Sequence, residues 1–143
     1  MRIGEILAAK PSHEIVTITP DAGVRELIAR LAEHNIGALI VSADGTSLDG
    51  IVSERDVVRH LHHDGTVINN TVDAIMTSEV QTAAPDDDLD DVMATMTERR
   101  FRHIPVVEDG SLVGIVSIGD VVKHKIGQLE FERDQLDSYV HQS

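Results

Sequence analysis

The sequence contains no cysteine and no tryptophan, and its aromatic residues are two phenylalanines and one tyrosine. Without cysteine, a disulfide framework, a cysteine-ligated zinc site and a thiol nucleophile are excluded. With so few aromatic rings, a platform on which successive nucleobases stack is nearly excluded as well. Any function must therefore rest on carboxylates, basic side chains, histidines, hydroxyls and backbone groups.

Positive charge is also scarce, because 12 Lys and Arg residues face 25 Asp and Glu residues and give a net charge of −13. A chain this acidic repels nucleic acid backbones and anionic lipid, so we expect neither nucleic acid nor membrane as a partner. A phosphate-binding site would have to be built locally from backbone amides and clustered basic residues.

Long apolar runs are missing. The longest spans about residues 36–41, far short of the roughly 20 residues that cross a bilayer. Glu5 interrupts the short apolar run near the N-terminus, so no signal peptide is expected. The length of 143 residues suits one ordinary domain or two small units with a shared core. We expect a soluble, cytoplasmic protein.

An internal repeat organises the chain. Residues 50–60 and 114–124 are identical at eight of eleven positions. Upstream, Pro20 and Asp21 match Pro85 and Asp86. Their separation is one residue longer than the separation between residues 50–60 and 114–124. This pattern predicts two copies of one unit, over about residues 1–62 and 72–126, joined by a linker and followed by a tail over residues 127–143.

Each copy predicts the element order β-α-β-β-α after a short helical lead-in, at residues 3–7 and 72–76. Pro20 and Pro85 are expected to open the first helix of each copy. An Asp-Gly pair in each copy predicts a hairpin turn. The predicted strands cover residues 15–18, 38–41 and 50–52 in the first copy and 80–82, 104–107 and 113–116 in the second. One copy buries too little surface alone, so we expect a mixed α/β (α+β) fold in which the two copies pack about a pseudo-twofold axis.

The segments 72–77, 103–107 and 114–120 together resemble a cystathionine-β-synthase (CBS) domain, and the first copy is similar in a looser form. A tandem pair of this kind is called a Bateman module. The resemblance implies a free-standing regulatory module that binds an adenosine-containing ligand in the clefts between its copies. AMP, ADP or ATP is the expected ligand, with NAD or S-adenosylmethionine as alternatives, and no further cofactor is implied.

The sharpest motif is Gly-Ile-Val-Ser-x-x-Asp at residues 50–56 and 114–120. Ser-x-x-Asp at the start of a helix is typical of a capping box. The same helix N-terminus also suits a phosphate. The resemblance implies that Asp56 and Asp120 bind ribose hydroxyls and that Ser53 and Ser117 lie near phosphate. It further implies that the ligand contacts Thr17, Ile18, Val80, Thr82, Ile104 and Pro105.

The two predicted sites are unequal. The second copy carries a basic run over residues 99–103, whereas the counterparts of its last two residues, Gly37 and Ala38, are uncharged. The first two arginines of the run have an alternative explanation, because a helix dipole stabilises positive charge at the C-terminal end of a helix. The first motif contains Arg55 at the position where the second motif has a glycine. Arg55 would either contact phosphate or block the cleft. We predict that the stronger site combines Asp120, Ser117, His103 and Arg102.

Two other clusters are not expected to bind metal. His60, His62 and His63 lie too close along one helix end to converge on one ion. The acidic run over residues 86–91 suits the first turn of a helix and lacks the spacing of a calcium loop. No triad or phosphate-binding loop indicates catalysis. The rival to a regulatory binding module is therefore a structural dimer with empty clefts, rather than an enzyme.

The tail continues an apolar pattern in steps of four and three residues, typical of a heptad seam. It predicts that the last helix extends to about His141. The seam, which comprises Val122, Ile126, Leu129, Arg133, Leu136 and Val140, packs either on the lead-in helix of its own chain or on a partner chain. We favour a homodimer, and the protein that such a module would regulate stays open.

Overall fold

The computed structural model describes residues 1–11 and 14–141, so the last two residues of the predicted tail lie outside the described part. The elements follow in the order α1 (Ile3–Ala9), β1 (Thr17–Ile18), α2 (Val24–His34), β2 (Ala38–Val41), β3 (Gly50–Ser53), α3 (Glu54–His63), α4 (Leu89–Arg99), β4 (His103–Glu108), β5 (Ser111–Ser117) and α5 (Ile118–Val140). Two short 3-10 helices, Gly65–Asn69 and Val72–Ala74, connect the repeats. This order confirms the predicted mixed α/β fold with a C-terminal helical extension.

Each repeat contains an antiparallel hairpin. In the first repeat, β2 pairs with β3, and the short β1 adds to β2 in parallel. In the second repeat, β4 pairs with β5 through a register shift between Val106 and Val107. Gly45 and Gly110 have positive φ angles of 86° and 78° in the two turns, a conformation that glycine adopts without a steric penalty.

The predicted starts of α2 and α4 were wrong. These helices begin at Val24 and Leu89, four residues after the prolines that were expected to open them. The residues after each proline form a turn, and the last residue before each helix, Gly23 or Asp88, is extended because it bridges to Thr71 or to Arg2. Pairing with a distant segment therefore overrides the local signal for a helix start.

The predicted strand over residues 80–82 is also absent from the second repeat. Next to this segment, Ala83 forms an isolated β-bridge with Val106. The adjoining residues 80–82 have no regular secondary structure, which leaves them available to line a cleft.

The lead-in segments exchange between the repeats. Ile3 and Ile6 of α1 are buried in the core of the second repeat, whereas Val72 and Ile75 are buried in the core of the first. Backbone hydrogen bonds fix the exchange: the N–H of Gly4 donates to the carbonyl of Pro85 at 2.9 Å. Each hydrophobic core is thus completed by sequence from the other half of the chain.

The exchange brings the start of the second repeat against β3. Ile51 and Thr77 exchange two backbone hydrogen bonds, with N···O distances of 3.0 and 2.9 Å. A Cβ atom at Gly50 would lie 2.7 Å from the carbonyl oxygen of Thr77, so this close approach requires glycine. As a result, residues 77–81 run beside the helix start at Ser53.

In the part of the chain that the structure describes, no helix is both long and apolar enough to cross a membrane. The longest, α5, has 23 residues. Its first turns pack on the second repeat through the buried Val121. All side chains from Leu129 to His141 are exposed.

Candidate functional site

Both Ser-x-x-Asp motifs form capping boxes, as one interpretation of the sequence predicts. The hydroxyl of Ser53 accepts the N–H of Asp56 at 3.2 Å, and Asp56 Oδ2 accepts the N–H of Ser53 at 2.9 Å. The corresponding distances at Ser117 and Asp120 are 3.1 and 3.0 Å. Each motif therefore holds a carboxylate at a rigid helix N-terminus, with one oxygen engaged by the cap.

A cleft of about 700 Å³ opens beside the first motif. One wall is the helix start at Ser53 and Asp56, and a second wall is the segment 77–81. The third wall is the segment 99–103, which joins α4 to β4. The cleft therefore lies between the two repeats, and its volume suits a small organic ligand.

Five arginines line this cleft, in a chain that has only 12 basic residues. They come from α3 and from the end of α4 with the following loop: Arg55, Arg59, Arg99, Arg100 and Arg102. Three acids, Glu54, Asp56 and Glu79, share the lining. Across residues 1–11 and 14–141, none of the five arginines forms an ion pair within 4 Å. The cleft thus concentrates unpaired positive charge in an acidic protein.

Three of these arginines, Arg59, Arg99 and Arg100, are not among the predicted site residues. Arg59 follows Arg55 by one turn on α3, which is the spacing that places two side chains on one helix face. Arg100 ends α4 in a left-handed conformation with φ 60°. The signal for all three is present in the sequence, in the four-residue spacing of Arg55 and Arg59 and in the basic run over residues 99–103.

His103 begins β4 at the contact between the repeats. A Cβ atom at Gly37 would lie 3.7 Å from its Cε1 atom, so the ring approaches the first repeat. Burial lowers the pKa of His103; Lys10 and Arg102 lower it further, whereas Asp120 and Glu54 act in the opposite direction. The imidazole is therefore held in its neutral form more strongly than in an unfolded chain.

Asp120 is engaged by a lysine from the exchanged lead-in. The Nζ atom of Lys10 lies 3.1 Å from Asp120 Oδ2 and donates a hydrogen bond to the carbonyl of Ile115 at 2.9 Å. Burial of Asp120 raises its pKa, but hydrogen bonds from Ser117 and Lys10 outweigh this effect and lower the pKa overall. The neighbouring pocket, which Lys10 lines, has a volume of only about 40 Å³.

The structure regroups the predicted site residues. Six of them line the large cleft together: Ser53, Arg55, Asp56, Val80, Arg102 and His103. The others lie outside its lining: Thr17, Ile18, Thr82, Ile104, Pro105, Ser117 and Asp120. Ile18 and Ile104 are buried in the two cores. The basic run over residues 99–103 thus lines the cleft of the first repeat's aspartate. His103 also pairs with Ser117 across β4 and β5, so the predicted proximity of His103 to the second motif is present as well.

The structure groups no three histidine or acidic side chains, within the described ranges, in a way that could hold a metal ion. His60, His62 and His63 lie exposed in the last turn of α3.

The shifted pKa of His103 predicts a pH-dependent stability. Above about pH 6.5 the imidazole is neutral in both states and has no effect. As the pH falls below this value, the unfolded chain binds the proton first, so the free energy of unfolding decreases. Urea unfolding at pH 7.5, 6.5 and 5.5 should show a smaller decrease for His103→Gln than for the unmodified chain. Equal decreases would contradict this assignment.

A family model described as CBS domain matches residues 3–63 and 72–127. The CBS domain-containing protein CBSX3 of Arabidopsis thaliana, a mitochondrial protein, is 37% identical over 127 residues, which cover 85% of this chain and 62% of the relative. The CBS domain-containing protein YhcV of Bacillus subtilis is 27% identical, with 91% of each chain covered.

Solved structures give the same result. A CBS-domain protein from Agrobacterium tumefaciens is 38% identical, with a TM-score of 0.82 over 87% of this chain and 99% of that one. The CBS domain pair of the protein MJ0100, solved in complex with 5′-methylthioadenosine and S-adenosyl-L-methionine, is 28% identical, with a TM-score of 0.78 over 90% of this chain and 98% of that one.

Proposed function

Since the chain belongs to the CBS domain family, whose pairs are regulatory ligand-binding modules, we propose that it senses an adenine nucleotide in the cleft beside Asp56. The observation that carries this proposal is the convergence of five arginines on a capped helix N-terminus that holds a carboxylate. The bound state would be transmitted to a protein partner.

The cleft offers a complementary group for each part of a nucleotide. Asp56 has a second carboxylate oxygen beyond the one used in the cap, and it can accept hydrogen bonds from ribose hydroxyls. Arginine guanidinium groups bind phosphate oxygens in pairs of parallel hydrogen bonds. Ile51, Val80 and Phe101 supply apolar surface in the same lining for a base.

The charge of the cleft favours a phosphate-bearing ligand over a cationic one. The related pair of MJ0100 was solved with S-adenosyl-L-methionine, which carries a sulfonium cation, and with 5′-methylthioadenosine, which has no phosphate. Neither ligand carries phosphate oxygens that the five arginines could bind, and the positive charge of the arginines would repel the sulfonium. We therefore propose ATP or ADP ahead of AMP and NAD, and ahead of S-adenosylmethionine.

We propose that the nucleotide is bound without being turned over. The carboxylate of Asp56 is fixed by its cap, and the role assigned to it is that of a hydrogen-bond acceptor. The arginines hold charge in place without generating a nucleophile. Phosphate release from ATP, measured with the purified chain, should not exceed that of a chain carrying Asp56→Ala.

A thermal-shift panel tests the ligand class. A ligand at 100 times its Kd adds about 2.7 kcal/mol to the free energy of unfolding, or roughly 5–10 °C in a chain of this size. We expect ATP and ADP to produce such a shift at lower concentrations than S-adenosylmethionine. The double variant Arg99→Ala, Arg102→Ala should lose the shift, whereas Arg25→Ala on α2, outside the cleft, should retain it. No shift with any nucleotide would favour the structural dimer with empty clefts.

We also propose that the protein acts as a homodimer, because α5 extends beyond the second repeat with its apolar seam exposed.

A further inference from the structure

The seam on α5 is an apolar stripe, interrupted by Arg133, that its own chain leaves largely exposed. Its five apolar side chains are between 41% and 66% exposed: Val122, Ile126, Leu129, Leu136 and Val140. The alternative in which the seam folds back on α1 is therefore not realised. Such a stripe on a 23-residue helix has the spacing that a second helix can cover.

We propose that α5 pairs with α5 of a second copy in an antiparallel orientation, which specifies the homodimer proposed above. In this register, Val122 lies opposite Val140 of the second copy, and Ile126 lies opposite Leu136. The central layers place Leu129 opposite Arg133. All six seam positions are then used, and the two helices overlap from residue 122 to residue 140.

Charge complementarity selects this orientation. Antiparallel pairing brings Lys123 of each copy beside Asp137 of the other, which forms two opposite-charge pairs along the flank of the seam. Like charges also meet at the centre, Glu130 with Glu130 on one flank and Glu132 with Glu132 on the other, and the guanidinium group of each Arg133 lies beside them. Within one copy, among residues 1–11 and 14–141, Arg133 pairs with its neighbour Asp134 at 3.4 Å, and both side chains are about two-thirds exposed.

A parallel pair is less favourable. It sets Arg133 against Arg133 in the same layer and Glu132 against Asp137 at the flanks, and both are like-charge contacts. Its attractive flanking contact would join Lys125 to Glu130. Lys125 is already paired with Asp90 of its own chain at 2.9 Å.

Sedimentation equilibrium of the full chain at micromolar concentration tests the surface. We expect a species of twice the 15.6 kDa of one chain. The double variant Leu129→Ala, Leu136→Ala should raise the dimer Kd about 10-fold or more, because four buried leucines are lost per dimer. Phe131→Ala is the matched control, since Phe131 is 64% exposed but lies on the opposite face of the helix. It should leave the Kd unchanged.

Single cysteines test the orientation, and the absence of native cysteine makes each disulfide assignable. In the antiparallel register, position 130 meets its own counterpart, so Glu130→Cys should cross-link under mild oxidation. Position 126 lies about 15 Å along the axis from its counterpart, so Ile126→Cys should not. A parallel pair gives the opposite result.

Each outcome is decisive. Dimers that cross-link through position 130 and weaken with the leucine pair support the proposal. Cross-linking through position 126 instead would retain the homodimer and overturn the orientation. A dimer that the leucine variant does not weaken would overturn the tail as the interface. A monomer at these concentrations would overturn both the proposal and the homodimer.

Discussion

Replacing Asp56 by alanine should weaken ATP binding about 10- to 150-fold, and replacing Asp120 should weaken it much less. A hydrogen bond to a charged group contributes about 1.5–3 kcal/mol, which corresponds to that range of Kd. Asp56 lines the cleft with five arginines, whereas Asp120 is paired with Lys10 beside a pocket of about 40 Å³. This ranking reverses the one that the sequence favoured. Isothermal titration calorimetry of the two variants measures it.

Because both aspartates also complete capping boxes, stability must be separated from binding. Alanine at either position should cost up to about 1 kcal/mol of unfolding free energy through the lost cap. Asp56→Asn retains an acceptor near the cap and loses the charge, so it should be nearly as stable as the unmodified chain yet bind ATP weakly. Full affinity in both Asp56 variants, with only the melting temperature lowered, would leave capping as the whole role of Asp56.

The largest effect on stability is expected from Ile6→Ala in α1. Ile6 is fully buried in the core of the second repeat. Truncating a buried isoleucine to alanine typically costs 2–5 kcal/mol, through lost burial and the cavity that remains. Chemical denaturation should therefore show a large loss of unfolding free energy from a residue near the N-terminus, where substitutions are commonly tolerated.

Val58→Ala is the control for this substitution, because Val58 is 65% exposed on α3. Its cost should remain within about 0.5 kcal/mol. If Ile6→Ala cost as little as Val58→Ala, the exchange of the lead-in segments between the repeats would be wrong.

The repeat in the sequence predicts the fold because the signals involved are local. Hairpins with Asp-Gly turns, apolar stripes at helical spacing and the two capping boxes each depend on a few neighbouring residues. The start of α2 shows the limit of such signals. Pro20 favours a helix start, but the chain makes a turn there and the bridge to Thr71 holds Gly23 extended, so the helix begins only at Val24.

The candidate site was predictable in its parts and not in its grouping. The motif at residues 50–56 and the basic run over residues 99–103 were both evident. Proximity in the sequence predicts that the basic run serves the aspartate of its own repeat. The run lines the cleft of Asp56, because Ile51 pairs with Thr77 across the two repeats, while its last residue, His103, also pairs with Ser117 on β5. That adjacency arises from packing between segments far apart in the chain.

The exchange of lead-in segments also bears on the order in which the chain folds as it leaves the ribosome. Helix α1 is synthesised well before the residues it packs against. The hydrogen bond from Arg2 to the carbonyl of Asp86, for example, spans 84 positions. The core of the first repeat is likewise incomplete until Val72 and Ile75 have been synthesised. Contacts of such high sequence separation slow folding, because the loop must close before they form. The nascent first repeat therefore exposes an unfinished core until the linker has emerged, and α1 has no core to join until β4 and β5 exist.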